Sequence, residues 1–506
     1  MTDVRSNAEL TEATATGLRW VMFARLGTEL ILLVSMVVLA RLIPPSAFGM
    51  FAIAVIVQEL AVNVPGEGVG SALVQRKTIE RAHLEGALAV SLLSGAVLAI
   101  AALLLVQVLV RPVFGDETAF LVALTTPWFL MGGILAIPLA VLRRQLDFRR
   151  LSLLSLAQNA VRTVASVALA VMGMDASALV LGALAGMFAI VGLAVLSAPV
   201  PLPRWRSRAI RDLLSYGAPA ALAAFSWAGF RNGDYAIVGA RLGAAQAGFY
   251  WRGFQLAVEY QRKVSAVMTQ IAFPVLSRTA GADAMFELRR RMVRLLTVVV
   301  FPLLALLVLL APVVVPWLFG PAWEPAVVPT QILAGAGATT VVIDAVGSVL
   351  MAAGRARALL GYGIAHFAVY AGAVLFASGH GLAAVSAAAV IVHFAFLIVA
   401  YRVLLRDRAE PTLRFIWGDV SAATVSCVAL VAVAWPTGVA LEVAAVPVIV
   451  HIALVCGIGS VAYLATLRIG FVQDYRDLIR LVRRVLPDRP VRAAARRVPV
   501  LAGRSS

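Results

Sequence analysis

The stretch that decides the fold runs from residue 295 to residue 318: LLTVVVFPLLALLVLLAPVVVPWL. It contains no charged residue, and a helix needs about 20 mostly apolar residues to cross a bilayer. The whole chain of 506 residues is 61% hydrophobic and 14% charged, with a mean hydropathy of +0.93. Soluble domains contain about 45–50% apolar and about 25% charged residues. The composition therefore predicts an all-α integral membrane protein.

Polar interruptions divide the sequence into about fourteen segments of membrane-spanning length. The predicted spans are 17–41, 46–74, 84–110, 118–142, 151–172, 177–199, 212–240, 245–273, 295–318, 325–353, 358–377, 382–405, 415–436 and 442–467. Every second junction is short, such as Gly115-Asp116-Glu117 and Gly379-His380-Gly381. No junction on that side is long enough to fold into a catalytic domain.

Basic residues mark the other side of the predicted spans. Of the 43 lysines and arginines, 36 lie at the chain ends or at even-numbered junctions, and the odd-numbered junctions hold only Arg41, Arg111 and Arg241. The positive-inside rule then places both termini in the cytoplasm, and we expect a multi-pass protein of the bacterial inner membrane. Nucleic acid is not an expected partner despite the net charge of +17, because the basic residues form no continuous face.

An internal repeat organises the spans into two sets. Ala40-Arg41-Leu42 and Ala240-Arg241-Leu242 follow spans one and seven, and Ala47-Phe48-Gly49 and Ala247-Gly248-Phe249 open the next spans. Since six spans separate the copies, both begin on the same side, which predicts two parallel, pseudo-symmetric six-helix lobes and a trailing helix pair. The predicted domains are a cytoplasmic segment 1–16, lobes 17–200 and 201–405, the helix pair 406–470, and a basic amphipathic tail 471–506 that lies on anionic lipid.

Ionisable residues inside the spans are the candidates for function, because charge at mid-membrane is costly unless it faces a bundle interior or a wet cavity. They concentrate on spans one, two, five, seven, eight and ten. The predicted substrate-binding residues are Arg25, Arg162, Arg231 and Arg252. The predicted coupling or charge-pairing residues are Glu29, Glu59, Glu67, Asp234, Glu259 and Asp344.

Arginines that line one central cleft could hold a diphosphate, because guanidinium binds phosphate oxygens bidentately. The carboxylates would pair with them in the empty site, and could be protonated or bind a cation, so that H⁺ or Na⁺ drives transport. A structural interpretation stands beside this one, since Arg25–Glu29 and Arg231–Asp234 have the i,i+4 and i,i+3 spacing of pairs within one helix. No Cys or His spacing predicts a metal site or a cofactor.

The stretch Pro65-Gly66-Glu67-Gly68 predicts that the end of span two breaks or unwinds. Pro65, Gly66 and Gly68 would form a hinge for alternating access, or the helix would simply taper before the cytoplasmic loop. The aromatic residues typical of an outer interface belt are Trp317, Trp323 and Trp435.

At this point the sequence resembles the Wzx-type polysaccharide flippases of the multidrug/oligosaccharidyl-lipid/polysaccharide exporter superfamily, nearest the colanic-acid and exopolysaccharide subgroup. The resemblance is carried by 39–44, 48–49, 68–77, 144–148, 273–277, 319–320 and 323, and extends from about residue 17 to about residue 470. It implies a two-lobed, V-shaped fold with a central cationic cavity. It also implies flipping of undecaprenyl-diphosphate-linked oligosaccharide repeat units from the cytoplasmic to the outer leaflet, for exopolysaccharide, capsule or O-antigen biosynthesis.

Other functions remain open from the sequence. A drug or cation antiporter of the same superfamily would need an acidic cavity, and a lipid II flippase is a nearer alternative that the sequence separates poorly. A polysaccharide polymerase or ligase would need a large outer loop. We expect a transporter and not an enzyme, with a lipid-linked oligosaccharide, membrane lipids and polysaccharide polymerase and chain-length proteins as partners.

Overall fold

The structure is a computed structural model that describes residues 7–76, 78–198, 200–263, 282–352, 356–406, 411–444 and 446–485. These ranges are almost entirely helical and contain no β-strand. Ten helices in them are long and apolar enough to cross a membrane, judged by length and composition. The all-α membrane class is therefore confirmed, whereas the count of fourteen spans stays a prediction.

Ten of the described helices precede residue 255. They are α1 Asn7–Leu42, α2 Pro45–Pro65, α3 Ser71–Gln75, α4 Arg81–Leu105, α5 Arg111–Leu124, α6 Pro127–Arg144, α7 Phe148–Val171, α8 Ala176–Ser197, α9 Ser207–Leu242 and α10 Ala244–Phe254. The π-helical turns Gly66–Gly70, Val106–Val110 and Gln255–Glu259 continue α2, α4 and α10.

The described helices after residue 281 complete the fold. They are α11 Ala282–Phe319, α12 Val327–Ala352, α13 Ala356–Ala377, α14 Leu382–Leu404, α15 Thr412–Val443, α16 Val448–Gly470 and α17 Val472–Val485. The 3₁₀ turn Pro321–Ala326 joins α11 to α12, and a second, Ser378–His380, follows α13.

Tight turns at odd-numbered junctions depend on glycine. The backbone has φ between 85° and 100° at Gly115, which kinks α5, and at Gly173, Gly243, Gly320 and Gly381. A Cβ atom would strain this left-handed conformation, so glycine allows these junctions to be short.

The proline–glycine stretch after α2 stays helical. Pro65 has φ −66° and ψ −38°, and Gly66–Gly70 forms one π-helical turn. The prediction of a broken helix is therefore wrong, because the fixed φ of proline suits a helix and the backbone continues from Pro65 into the π-helical turn. A hinge role for Pro65, Gly66 and Gly68 stays a prediction.

The first of two compact units comprises Met1–Tyr260, Leu310–Ala336 and Leu360–Phe396. In it α2 packs against α6 and α8 of the first predicted lobe and against α9 and α10 of the second predicted lobe. Its buried core includes Leu73 beyond α2 and Leu213 of α9. Helix α2 therefore contacts helices of both predicted lobes.

The second unit comprises Gln261–Leu309, Gly337–Leu359 and Leu397–Ser506. Helices α15 and α16 pack against each other, and the Tyr463 hydroxyl on α16 donates to the Val298 carbonyl of α11 at 2.8 Å. These compact units are not the predicted lobes, and the lobe boundary at residue 200 stays a prediction.

Candidate functional site

Helices α2 and α10 are in backbone contact at Gly49 and Gly248. A Cβ atom on Gly49 would lie 1.8 Å from the Ala244 carbonyl oxygen, and one on Gly248 would lie 2.0 Å from that of Pro45. Real Cβ atoms essentially never approach other atoms to less than 3.0 Å, so any larger residue must push the helices apart. The contact is reciprocal, because Pro45 and Gly49 precede Ala244 and Gly248 by the same number of positions, 199. We call it the α2–α10 crossing.

Beside this crossing, Arg252 lies among four aromatic rings that we call the aromatic box. The distances from its guanidinium carbon to the ring centres are 4.7 Å for Phe48, 5.5 Å for Trp251, 5.1 Å for Phe319 and 5.0 Å for Trp323. Ring quadrupoles attract a cation in this position. The box therefore compensates part of the cost of removing this guanidinium from water.

The hydrogen bonds of Arg252 are incomplete. The side chain is 2% exposed, and its Nη1 atom donates to the Gln255 side-chain oxygen at 3.1 Å. Its Nε and Nη2 atoms have no hydrogen-bond partner within the described ranges. A buried donor without an acceptor costs free energy. These N–H groups could therefore donate to an anion that reached them.

Further hydrogen bonds tie the end of α1 to the region around the box. The indole of Trp323, which is 0% exposed, donates to the Ala40 carbonyl at 2.8 Å. Arg41 donates through Nε to the Leu318 carbonyl at 2.9 Å and through Nη2 to that of Trp317 at 2.5 Å. The interface-belt prediction for Trp323 is therefore wrong, since its ring is buried and its N–H binds the backbone.

A second close approach lies near the other end of the same helix. A Cβ atom on Gly217 of α9 would lie 2.8 Å from the Gly68 carbonyl oxygen, and one on Gly68 would lie 3.0 Å from the Ala221 Cβ. We call this the α2–α9 crossing. Gly49 and Gly68 are about 28 Å apart along a helix that rises 1.5 Å per residue. That is close to the thickness of a bilayer's hydrocarbon core, about 30 Å.

A buried carboxylate lies on α4, which also packs against α9. Glu85 accepts hydrogen bonds from Arg206 Nε at 3.0 Å and from Arg81 Nε at 3.1 Å. Arg206 Nη2 also approaches it at 2.9 Å. The carboxylate therefore links the start of α4 to the segment that enters α9.

Two predicted carboxylates lie near the crossings. Glu59 lies between Gly49 and Gly68 in the sequence, and Asp234 contacts Tyr250, which follows Gly248 on α10. Glu59 of α2 accepts a hydrogen bond from the buried Asn232 side chain at 2.8 Å. Asp234, which is 4% exposed, accepts hydrogen bonds from the hydroxyls of Tyr250 at 3.0 Å and Tyr370 at 2.8 Å. The two hydroxyls are 3.1 Å apart, and a backbone N–H also donates to Asp234 at 2.9 Å. Asp234 therefore joins α9, α10 and α13.

The imidazole rings of two histidines lie next to this cluster. The ring centre of Tyr370 lies 5.3 Å from that of His393 and 5.9 Å from that of His366. His393 Nδ1 is 2.8 Å from the Ala389 carbonyl oxygen. Sequence reasoning missed both histidines, because they are too far apart in the chain to suggest a common site.

The other predicted residues are dispersed. Arg162 is half-buried on α7, with its guanidinium carbon 5.9 Å from the Phe51 ring centre. It therefore flanks α2, as does Arg252. Arg25 is exposed, Glu29 and Glu259 are half-buried, and Asp344 is exposed in the second unit. The side chains of Arg231 and Glu67 lie outside the described ones.

An ion pair in the second unit was not predicted. Asp419, 0% exposed, accepts hydrogen bonds from Arg289 Nη2 at 2.5 Å and from the Tyr401 hydroxyl at 2.7 Å. Arg290 Nε lies 3.8 Å from its other oxygen. The cluster joins α11, α14 and α15. The available signal was Asp419 itself, an aspartate inside a predicted apolar span.

The tail helix α17 is attached to α11. Arg294 donates to Asp474 at 2.7 Å, beside a polar cavity of about 230 Å³ lined by both helices. Exposed Arg476, Arg480 and Arg483 give α17 a basic face. In the part of the chain that the structure describes, no three His, Cys, Asp or Glu side chains are grouped to hold a metal ion.

Solved structures define the class of the fold. The chain aligns with the lipid II flippase MurJ in an inward closed conformation, with a TM-score of 0.68, 13% identity, and 91% of this chain and 99% of that chain covered. It also aligns with an inward-facing multidrug resistance MATE transporter of the MOP superfamily, with a TM-score of 0.58, 15% identity, and coverage of 78% and 95%. The chain therefore shares its fold with these two proteins.

Relatives by sequence define the family. Residues 38–328 match the family described as polysaccharide biosynthesis protein, and the chain belongs to this family. The teichuronic acid biosynthesis protein TuaB of Bacillus subtilis (strain 168) is 27% identical over 316 residues, which cover 60% of this chain and 65% of TuaB, just under two thirds of that relative. The lipopolysaccharide biosynthesis protein WzxC of Escherichia coli (strain K12) is 26% identical over 362 residues, covering 68% of this chain and 71% of WzxC. The resemblance noted in the sequence is confirmed.

Proposed function

We propose that the protein flips undecaprenyl-diphosphate-linked oligosaccharide repeat units from the cytoplasmic to the outer leaflet of the bacterial inner membrane. The product would supply exopolysaccharide, capsule or O-antigen synthesis. The observation that carries the proposal is Arg252, a buried guanidinium beside the α2–α10 crossing whose Nε and Nη2 atoms have no hydrogen-bond partner in the described part of the chain. Membership of the polysaccharide biosynthesis protein family supports the substrate class.

The chemistry of the substrate explains the need for buried arginine. A diphosphate carries negative charge that is costly to bring into a bilayer, whereas guanidinium binds phosphate oxygens bidentately in places from which water is excluded. Arg252 and Arg162 flank α2 through Phe48 and Phe51. With Arg25 and Arg231 they would form the cationic lining of a central cavity between two six-helix lobes.

Transport would proceed by alternating access around α2. By the positive-inside rule the α2–α10 crossing would lie at the outer end of the helix and the α2–α9 crossing at the cytoplasmic end. Opening the α2–α9 crossing would admit the substrate from the cytoplasmic side, and opening the α2–α10 crossing would release it on the outer side. Pro65, Gly66 and Gly68 adjoin the cytoplasmic crossing, where a hinge would be required.

Coupling to H⁺ or Na⁺ would occur at the carboxylates. Asp234 is buried and receives two tyrosine hydroxyls, so a change in its protonation or cation binding would alter contacts among α9, α10 and α13. Glu29, Glu59, Glu67, Glu259 and Asp344 would take part in coupling or in charge pairing.

The protein would act without catalysis of its own, beside the polymerase and chain-length proteins that extend the exported units. Fourteen spans would place both termini in the cytoplasm. There the basic face of α17 would lie on anionic lipid.

The test is replacement of Arg252 or Arg231 with Ala in a host whose own gene has been deleted. Both variants should insert in the membrane, fail to restore polysaccharide and accumulate the lipid-linked repeat unit in the cytoplasmic leaflet. Arg241→Ala, a change of an exposed junction arginine, is the matched control. Full polysaccharide production by both variants would refute the cationic cavity. Rescue of a strain depleted of its lipid II flippase would assign lipid II as the substrate instead.

A further inference from the structure

The rings around Arg252 come from parts of the chain that meet at the α2–α10 crossing. Phe48 adjoins Gly49 on α2, and Trp251 follows Gly248 by less than one turn on α10. The other two rings, Phe319 and Trp323, lie at the end of α11 and in the following 3₁₀ turn. Separation of α2 from α10 would therefore withdraw Phe48 from the guanidinium.

Two opposing terms act on the closed box. Attraction between the cation and the ring faces favours closure, and this attraction is strongest where water is absent. The loss of hydration at Nε and Nη2 of Arg252 favours opening, because neither atom has a hydrogen-bond partner within the described ranges. The contact between Gly49 and Gly248 fits the two helices together and contains no charged group whose dehydration would favour opening.

We propose that the aromatic box is the latch of the α2–α10 crossing, and that the buried charge of Arg252 keeps the latch weak enough to open. Opening exposes the guanidinium, which then becomes available to an anion. The proposal rests on the proposed function only in the identity of that anion, the phosphate of the substrate. The latch itself requires no substrate.

A single buried cysteine can report the opening of the crossing. Ala47 is 0% exposed and lies two residues before Gly49, so Ala47→Cys adds one thiol at the contact. The background would carry Cys427→Ser and Cys456→Ser, which remove both native cysteines. The measurement is the rate of labelling by a membrane-impermeant maleimide, in vesicles of both orientations reconstituted without any lipid-linked sugar.

Two Phe→Leu changes, which remove the same volume from the cluster, separate the effect of the ring face from that of general packing. Phe48→Leu removes the ring nearest to Arg252 and should raise the labelling rate about tenfold. Phe249→Leu is the matched control, because Phe249 is buried in the same cluster and contacts Trp323, with ring centres 6.1 Å apart. It should leave the rate within about twofold, since its ring does not face the cation. Equal rates in the two variants would overturn the latch.

If the buried charge of Arg252 weakens the latch, its removal should lower the labelling rate. Arg252→Met keeps a long side chain that packs well against aromatic rings but carries no charge, so the crossing should stay closed and labelling should fall below the parent rate. Arg252→Lys retains the charge and should label at least as fast as the parent. If Arg252→Met labels as fast as Phe48→Leu, the arginine only bridges the helices and the proposal fails.

These results are independent of the transport assay. Failure of the wild-type protein to flip repeat units would refute the proposed function and leave the labelling rates unchanged. Conversely, normal flipping with equal labelling of Phe48→Leu and Phe249→Leu would refute the latch alone.

Discussion

Replacement of Gly248 with alanine should disable the protein without preventing its insertion in the membrane. The added Cβ atom would lie 2.0 Å from the Pro45 carbonyl oxygen, whereas ordinary contact begins at 3.4 Å. The difference between these distances requires α2 and α10 to separate by about 1.4 Å at this point. The obstacle is backbone, so no side chain can rotate away to make room.

Overpacking of a well-packed interface costs about 1–3 kcal/mol, and a backbone obstacle places Gly248→Ala at the upper end. Since 1.4 kcal/mol corresponds to a factor of ten, about 3 kcal/mol shifts the closed population of the crossing by roughly a hundredfold. Gly49→Ala should cost a similar amount, because the contact is reciprocal. The double variant should cost less than the sum of the two, since the first change already opens the shared contact.

The assay is polysaccharide production in a host that lacks the native gene, together with the amount of protein in the membrane. The matched control is Gly372→Ala on α13, where an added Cβ atom meets nothing within 4 Å. We expect normal production from the control and a loss of at least tenfold from Gly248→Ala at equal protein levels. Normal polysaccharide production from Gly248→Ala would refute the inference that the α2–α10 crossing must close during transport.

Three further changes test the ion pairs and the carboxylate cluster. Asp419→Asn leaves Arg289 with its charge buried and poorly compensated, so the free energy of unfolding should fall by about 3–5 kcal/mol. The measurement is the Tm in detergent, which should be lower than that of the wild type. An unchanged Tm would contradict the burial of the pair. Glu85→Gln should lower the Tm less than Asp419→Asn does, because its partners Arg206 and Arg81 are 45% and 81% exposed, and a Tm loss as large as that of Asp419→Asn would contradict this ranking. Asp234→Asn should make the flipping rate independent of imposed proton and sodium gradients, measured in proteoliposomes, and a gradient response like that of the wild type would exclude this carboxylate from coupling.

The fold class was predictable because it depends on composition and on periodic properties of long segments. Uncharged stretches of more than 20 residues exclude a soluble core, and the repeat that includes Gly49 and Gly248 pointed to corresponding helices. Their direct contact could not be deduced, since sequence similarity between two segments does not give the distance between them.

Individual side chains were harder to place. The sequence identified Arg252 as an intramembrane charge but gave no indication of its four aromatic neighbours, two of which lie about seventy residues further along the chain. Trp323 was assigned to the membrane interface because of its position near a predicted span end, whereas its burial depends on packing with α1 and α2. The Pro65 region was expected to break because proline is disfavoured inside helices, whereas Pro65 has helical φ and ψ and is followed by a π-helical turn.

The reciprocal contact at Gly49 and Gly248 has the geometry of an isologous interface, in which one patch meets its own equivalent across a two-fold axis. An interface of this kind needs a single type of subunit. A chain of half this length could therefore have assembled as a homodimer through the same glycine, and fusion of two gene copies would have preserved the contact. Each half could then change independently, so that one kept an alanine where the other acquired Pro45.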